Sequence, residues 1–241
     1  MKTNSSRGGY WSLGGLGLAL GIWPATALTF VSQTVNQVVP DGDASGLLSS
    51  ATVSGMSGTI SGLQVTLNLA GSGVDGGFNG DLYAYLRRPD GGFAVLLNRP
   101  GRRPGAEAGY GDSGLHVTFD ESAAADIHNY RLTLNGNHTT PLAGDLTGHW
   151  QTDGRSVDPE STLDYSGAAR TATLASFDGL GLNGTWDLHV FDLASGGEVT
   201  LESWALQLSM VPEPRMTAVV CGFGLVAYGW YRRRAVRFGS R

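Results

Sequence analysis

Acidic side chains at close spacing are the first feature of this sequence that could do chemistry. The segment Asp41-Gly-Asp43-Ala-Ser45-Gly46 places oxygen donors at alternate positions and a glycine at the sixth, as at the start of a calcium-binding loop. The twelfth position is Thr52 instead of glutamate, so the segment is not an EF-hand loop. Calcium is therefore the one cofactor that the sequence suggests.

A second set of acidic residues extends this expectation. Its members lie at the ends of predicted strands or in loops, where carboxylates could form another calcium site: Asp81, Asp112, Asp120 and Asp192. The alternative for both sets is that the side chains cap turns while their charge serves solubility. The sequence leaves this choice open.

One short segment suggests a nucleophile. Gly111-Asp-Ser113-Gly114 resembles the nucleophile segment of trypsin-like serine proteases. A catalytic serine needs a histidine base and an orienting carboxylate within hydrogen-bond reach. His116, His128 and His189 are present, but none lies in an Ala-Ala-His-Cys context, and a single cysteine cannot supply that family's disulfides. We therefore predict a turn leading into a strand, and no catalytic residues.

The sequence predicts that β-strands position these residues. Many short β-branched runs are separated by Gly, Asn and Asp clusters, and the 241 residues include 37 glycines. This pattern predicts an all-β sandwich or barrel. Alternating apolar residues in Leu63–Leu69 and Trp204–Leu208 predict strands with one buried and one solvated face, with Trp186 and Trp204 in the core.

Nine strands and two other local features are predicted. Residues between Asp120 and Arg170 form a loop-rich region with a short helical turn at Ser122–Asp126, while Pro89-Asp-Gly-Gly92 forms a hairpin turn. The predicted strands are Phe30–Val39, Ala51–Val53, Thr59–Leu69, Asp81–Arg87, Phe93–Asn98, Leu115–Phe119, Thr171–Phe177, Gly184–Asp192 and Val199–Ser209.

The charge of the central region excludes one class of partner. Residues 28–211 hold 20 of the 21 acidic residues but only eight of the 16 basic ones, which gives a formal net charge of −12. So acidic a domain repels the phosphate backbone, and we expect no nucleic-acid partner.

The N-terminus has the three parts of a secretory signal peptide. Lys2 and Arg7 form a basic region, an apolar stretch rich in glycine and leucine runs from Tyr10 to Trp23, and Ala25-Thr-Ala27 is an A-x-A cleavage site. We predict that residues 1–27 are a signal peptide and that the mature chain begins after Ala27.

The C-terminus combines a short motif, an apolar helix and a basic block. The motif is Val211-Pro212-Glu213-Pro214, and residues 216–231 carry no charge. A helix of these 16 residues would span about 24 Å, short for a bilayer core of about 30 Å. The arginines that follow predict a cytoplasmic C-terminus and act as the membrane stop: Arg232, Arg233 and Arg234.

This order of motif, helix and arginines resembles the PEP-CTERM sorting signal of Gram-negative bacteria, here over residues 212–241. The resemblance implies an exosortase-type transpeptidase as partner and a membrane helix that anchors the chain, either transiently or permanently. It also implies delivery to the cell surface or an extracellular matrix, where exopolysaccharide is an expected neighbour.

Two segments of the central region carry a further resemblance. One runs from Phe78-Asn-Gly-Asp-Leu to Leu97 through the Pro89 turn; the other joins Gly184-Thr-Trp-Asp-Leu-His-Val-Phe-Asp192 to Ser203-Trp-Ala-Leu206. Together they resemble the P domain (P/Homo B domain) of subtilisin-like proprotein convertases. The resemblance implies a jelly-roll β-sandwich over residues 28–211.

The sequence lacks the subtilisin-type protease that such a domain accompanies. We therefore expect an exported, non-catalytic module of the bacterial envelope or biofilm matrix. Two alternatives stay open. One is an accessory domain that stabilises a separate serine endopeptidase. The other is a carbohydrate- or protein-binding module that uses aromatic loop residues such as Tyr110, Trp150 and Tyr165.

Overall fold

The computed structural model describes residues 27–72, 76–161 and 167–211, together with three single positions in the C-terminal segment. The described chain is mostly β-structure in two sheets, as the composition predicted. The elements are β1 (Ala27–Val39), β2 (Leu47–Val53), β3 (Thr59–Ser72), β4 (Leu82–Arg87), β5 (Phe93–Asn98), β6 (Leu115–Phe119), α1 (Tyr130–Asn135), β7 (Leu146–Trp150), β8 (Gly184–Asp192) and β9 (Glu198–Val211).

The two sheets differ in size, and nearly all of their neighbouring strands run antiparallel. The five-stranded sheet has the order β1-β9-β3-β6-β7, and the four-stranded sheet has the order β2-β8-β4-β5. All neighbouring strands are antiparallel except β6 and β7, which are parallel. β1 and β9 pair along nearly their whole length, from Ala27 opposite Met210 to Val39 opposite Val199.

The alternating apolar residues of both sheets form one shared core, which confirms the sequence pattern. In β3 the odd positions from Leu63 to Leu69 are buried. Trp186 and Trp204 are also buried, as predicted. The indole Nε1 of Trp204 donates to Ser49 Oγ at 2.8 Å, which ties the five-stranded sheet to β2 of the other sheet.

The predicted turn at Pro89-Asp-Gly-Gly92 joins β4 to β5. Arg88 N donates to Gly92 O, and Gly92 has a φ of 84°, which a residue with a side chain rarely adopts. A Cβ there would lie 2.3 Å from the ring of Phe177, so the tight turn also requires glycine for packing.

Three local predictions were wrong. Within the predicted strand Thr171–Phe177, Leu174–Phe177 form a 3-10 helix, because the buried pair Leu174 and Phe177 follows a spacing of three instead of alternation. Strand β7 was not predicted, since its three middle residues are exposed. The helical turn expected at Ser122–Asp126 begins later, as a 3-10 turn at Ile127–Asn129 that continues into α1.

The predicted terminal segments fall largely outside the described residues. Ala27 is the first residue of β1, while Ala25 and the rest of the predicted signal peptide are not described. The predicted sorting motif from Pro212 onwards and the arginine block are not described either. Within the part of the chain that the structure describes, no helix has the length and apolar character needed to cross a membrane.

Candidate functional site

Three of the seven predicted metal-binding residues come together at one end of the four-stranded sheet. Asp192 is the last residue of β8 and pairs with Leu82, the first residue of β4. Asp81 ends the 3-10 turn Asn79–Asp81 just before β4, and Asp41 forms a bridge with Asp192. We call Asp41, Asp81, Asp192 and the neighbouring Arg99 the Asp192 site.

Asp192 is the most unusual residue of this site. Its side chain is buried, with 1% of the residue exposed, and neither carboxylate oxygen has a hydrogen-bond partner among the described residues. Burial, followed by the negative charges of Asp81 and Asp41, raises the pKa of Asp192 to about 7. The backbone of Ala194 lowers this pKa somewhat, but it makes no hydrogen bond of normal geometry with the carboxylate.

Arg99 is the cation of the site. Its Nη2 lies 3.2 Å from Asp81 Oδ1, and its Nε donates to Gly80 O at 3.1 Å. Burial raises the pKa of Asp81, and the charge of Arg99 opposes that rise. The backbone of Arg99 has a φ of 48°, which is uncommon for a residue with a side chain. Strained backbone of this kind is characteristic of functional positions.

Of the calcium-loop motif, only Asp41 belongs to the Asp192 site. Both oxygens of Asp41 accept from Gly196 N at 3.1 Å. Asp43 Oδ1 instead accepts from Ser45 N at 2.8 Å, and this backbone hydrogen bond lowers the pKa of the exposed Asp43. Asp43 and Ser45 therefore form a capped turn beside the site, which was the alternative interpretation of the motif.

The two remaining predicted ligands lie in other contacts. Asp112 accepts from Arg131 Nε at 2.6 Å and from Arg131 Nη2 at 2.8 Å, with Tyr130 at 2.7 Å. Burial opposes these contacts, yet the pKa of Asp112 is lowered. Asp120 accepts from Gln64 at 2.7 Å and from Ser122 N at 2.9 Å. Neither carboxylate belongs to the Asp192 site.

In the described ranges, no group of three or more His, Cys, Asp or Glu side chains is placed so that it could hold a metal ion. The carboxylates of the Asp192 site therefore lie in neighbouring segments without forming a metal-binding group.

Ser113 has no triad around it in the described structure. No described hydrogen bond joins it to a histidine. His116 lies 3.3 Å from Asp145 and His128 lies 2.8 Å from Asp153, whereas His189 stacks on Tyr85 at a ring distance of 4.6 Å. The chemistry of a serine nucleophile needs a base at hydrogen-bond distance, and these histidines have other partners.

A buried ionic network surrounds His128, and the sequence did not predict it. His128 Nδ1 lies 2.8 Å from Asp153 Oδ2, and Nε2 lies 3.0 Å from Arg102 O. Arg155 joins the network, with Nη1 at 3.2 Å from Asp153 Oδ1. Burial lowers the pKa of His128, but the hydrogen bond and charge of Asp153 outweigh it, so the pKa is raised. No spacing in the sequence signals this network, because its parts come from separate loops.

The aromatic loop residues suggested for ligand binding are not at the surface. Tyr110 is 1% exposed and Trp150 is 4% exposed, since both fill the core. The binding-module alternative needed both side chains at the surface, so these two residues do not support it. His149, next to Trp150, is exposed, and Tyr165 lies outside the described residues.

Other aromatic residues occupy the outer face of the four-stranded sheet. We call this set the aromatic face: Tyr83, Tyr85, Phe93, His189 and Phe191. Ring distances of 4.6 to 5.9 Å link Tyr85 to each of the other four members. The signal in the sequence was the alternation of β4 and β8, whose outward positions hold two rings in each strand next to one charged residue, Arg87 or Asp187.

Comparisons with known proteins find little. The chain matches no protein-family model and no curated protein. One similar solved structure is the serine protease of Aeromonas sobria, with a TM-score of 0.40 and 18% identity over 80% of this chain. Another is the complex of that protease with the chaperone ORF2, with a TM-score of 0.37 and 18% identity over 80% of this chain. In both cases the match covers 29% of the other chain, and similarity at this level says nothing about shared activity.

Proposed function

We propose that this protein is an exported, non-catalytic module of the envelope or exopolysaccharide matrix of a Gram-negative bacterium. In this proposal residues 28–211 form a jelly-roll sandwich of the P/Homo B type. Residues 1–27 direct export, and residues 212–241 are a sorting signal that an exosortase-type transpeptidase processes. The support for export comes from the order of motifs at the two ends of the sequence.

One structural observation carries the proposal. Ala27 of β1 pairs with Met210 of β9. The proposed cleavage point and the start of the sorting motif therefore lie side by side at one end of the five-stranded sheet.

Replacing Pro212, Glu213 and Pro214 by alanine in the native host tests the sorting step. We expect the variant to accumulate in the membrane fraction with an intact C-terminus, because the transpeptidase has lost its motif. The control Thr217→Ser changes the apolar segment conservatively and should be sorted like the wild type. If the motif variant is released as the wild type is, the sorting proposal is wrong.

A second candidate function is polysaccharide binding, and the aromatic face favours it. Phe93 is 37% exposed, and Leu48, which pairs with His189 at the other edge of the sheet, is 53% exposed, so the face offers apolar surface to solvent. Polar groups border it: Ser50 donates to Asp187 at 2.7 Å, and Arg87 lies 3.8 Å from Asp187. Rings beside hydrogen-bonding groups suit sugars, which have both apolar faces and hydroxyls.

A further inference from the structure

A line of three rings and one leucine crosses all four strands of the smaller sheet. Tyr85 of β4 contacts Phe93 of β5 at a ring distance of 5.3 Å and His189 of β8 at 4.6 Å. Leu48 of β2 pairs with His189 and ends the line at the far edge of the sheet. We call these four side chains the aromatic line. Since neighbouring strands lie about 4.8 Å apart, the line is about 14 Å long, and a ligand that covers it must be extended.

The two sides of the aromatic line differ in chemistry. On one side the strand register aligns Arg87, Asp187 and Ser50, which we call the polar row. Ser50 Oγ donates to Asp187 Oδ1 at 2.7 Å, and Arg87 Nε lies 3.8 Å from Asp187 Oδ2. On the other side lie the rings of Tyr83 and Phe191, 5.7 Å apart. A guanidinium, a carboxylate and a hydroxyl have donor and acceptor capacity beyond these contacts, so the polar row can bond to hydroxyl groups of a ligand on the line.

The charges at the aromatic line favour an uncharged ligand. Arg87 and Asp187 have opposite charges, so the polar row has no net charge when both are ionised. The formal charge of −12 over residues 28–211 repels a polyanion at long range. A polycation would meet the guanidinium of Arg87 first, because the side chain of Arg87 is 49% exposed and that of Asp187 only 13%. An uncharged chain with hydroxyl groups has neither disadvantage.

We propose that the aromatic face binds an uncharged polysaccharide chain that crosses the four strands along the aromatic line. The apolar faces of successive sugar units pack on the line, and the hydroxyl groups at one edge of the chain bond to the polar row. The site rests on the second candidate function, polysaccharide binding, and adds the charge class of the ligand, its direction on the sheet and its hydrogen-bonding residues. It is independent of the export proposal.

Affinity electrophoresis of the protein purified from its native host tests the charge class. Ion exchange separates the host's exopolysaccharide into uncharged, anionic and cationic fractions, and each fraction is cast into a gel. We expect the uncharged fraction to retard the protein most strongly. Stronger retardation by a charged fraction would overturn the proposed charge class, whereas no retardation by any fraction would remove polysaccharide binding as a function and this site with it.

Fragments of the uncharged fraction test the direction and extent of the site. Partial hydrolysis gives oligosaccharides of graded length, which are added to the gel as competitors. Their potency should rise with length until they span the aromatic line, and it should then level off. Monosaccharides that compete as well as the longest fragments would contradict a site that crosses the strands.

A pair of variants on β2 tests the polar row. Ser50→Ala should weaken binding to the uncharged fraction roughly 3–10-fold, because one hydrogen-bonding group is lost. Thr52→Ala is the matched control, since Thr52 is exposed on the same face of the same strand, opposite Thr185 and one position further from the aromatic line. It should bind like the wild type, and melting temperatures show whether both variants are folded. Equal retardation of Ser50→Ala and the wild type would overturn the role of the polar row while polysaccharide binding itself stands.

Discussion

Two buried ionisable side chains in this protein have opposite surroundings. Each nitrogen of His128 faces an acceptor, Asp153 Oδ2 at 2.8 Å on one side and Arg102 O at 3.0 Å on the other. Only the doubly protonated ring donates to both, so the fold favours the charged form. Neither oxygen of Asp192 has a hydrogen-bond partner of normal geometry among the described residues, and burial disfavours its charged form. His128 is therefore paired within the described chain, whereas the carboxylate of Asp192 is not.

The stability of the sandwich should fall as the pH rises through the raised pKa of His128. Because the folded pKa lies above the unfolded value of about 6.5, the contribution of His128 is fully present below pH ~6.5 and is lost at higher pH. We expect a loss of about 1.5–3 kcal/mol, the range for hydrogen bonds to charged groups. Urea unfolding between pH 5.5 and 9 measures it. The groups facing His128 are Asp153, Arg155 and His138.

His128→Gln should flatten this part of the pH profile, whereas the exposed His149→Gln should keep the wild-type slope. The comparison also separates His128 from Asp192, whose raised pKa makes stability decline with pH in both variants alike. An unchanged slope in His128→Gln would show that the buried pair is not the titrating unit.

The Asp192 site shows how far residue-level prediction could go. Sequence spacing identified Asp41 and Asp43 because they stand close together, and it could not rank Asp81 and Asp192. Those two meet only because β4 and β8 pair with Leu82 opposite Asp192. Strand register is decided by the packing of whole strands, which no local motif encodes.

Among the elements, the four-stranded sheet is unusual because its outer, solvated face carries a cluster of aromatic side chains. β8 was predicted as a strand with these bounds and with Trp186 in the core, and both predictions are confirmed. Its solvated positions, however, join those of β4 in an aromatic cluster, with Tyr85 and His189 stacked at 4.6 Å. Aromatic cross-strand pairs stabilise a sheet, and they also leave an apolar surface for a ligand.

Phe93→Ala should weaken binding to the host's exopolysaccharide by roughly 5–10-fold, which corresponds to the loss of about 1 kcal/mol of ring contact. Affinity electrophoresis in gels that contain the polysaccharide measures this loss. Phe30→Ala is the matched control, since Phe30 is 63% exposed on β1 of the other sheet. Equal retardation of the wild type and both variants would remove the aromatic face as the binding surface.

The errors in element prediction share a physical origin. β7 has exposed residues at Thr147, Gly148 and His149, and it owes its strand form to parallel pairing with β6. That partner is about 30 positions away along the chain, so local propensity gives no signal. Leu174–Phe177 has β-like composition, yet packing of Phe177 on Trp186 at 5.0 Å fixes a 3-10 turn there. Strands with their own alternation were predicted well.

For the whole molecule, the pairing of β1 with β9 brings the two proposed processing points to one end of a finished sandwich. The resulting module would carry a formal charge of −12 over residues 28–211. Such a charge favours solubility. In the proposed function the termini direct delivery, and the sandwich is the part that is delivered.

Intact-mass spectrometry of the protein from the envelope and extracellular fractions of its native host tests this account most directly. We predict a chain that begins at Leu28 and ends before the arginine block Arg232–Arg234. Terminal peptide sequencing fixes both ends, and a signal-peptide deletion, which should keep the chain in the cytoplasm, provides the control. A mature protein that still ends at Arg241 would contradict the sorting proposal, and an unprocessed chain found only in the cytoplasm would contradict export itself.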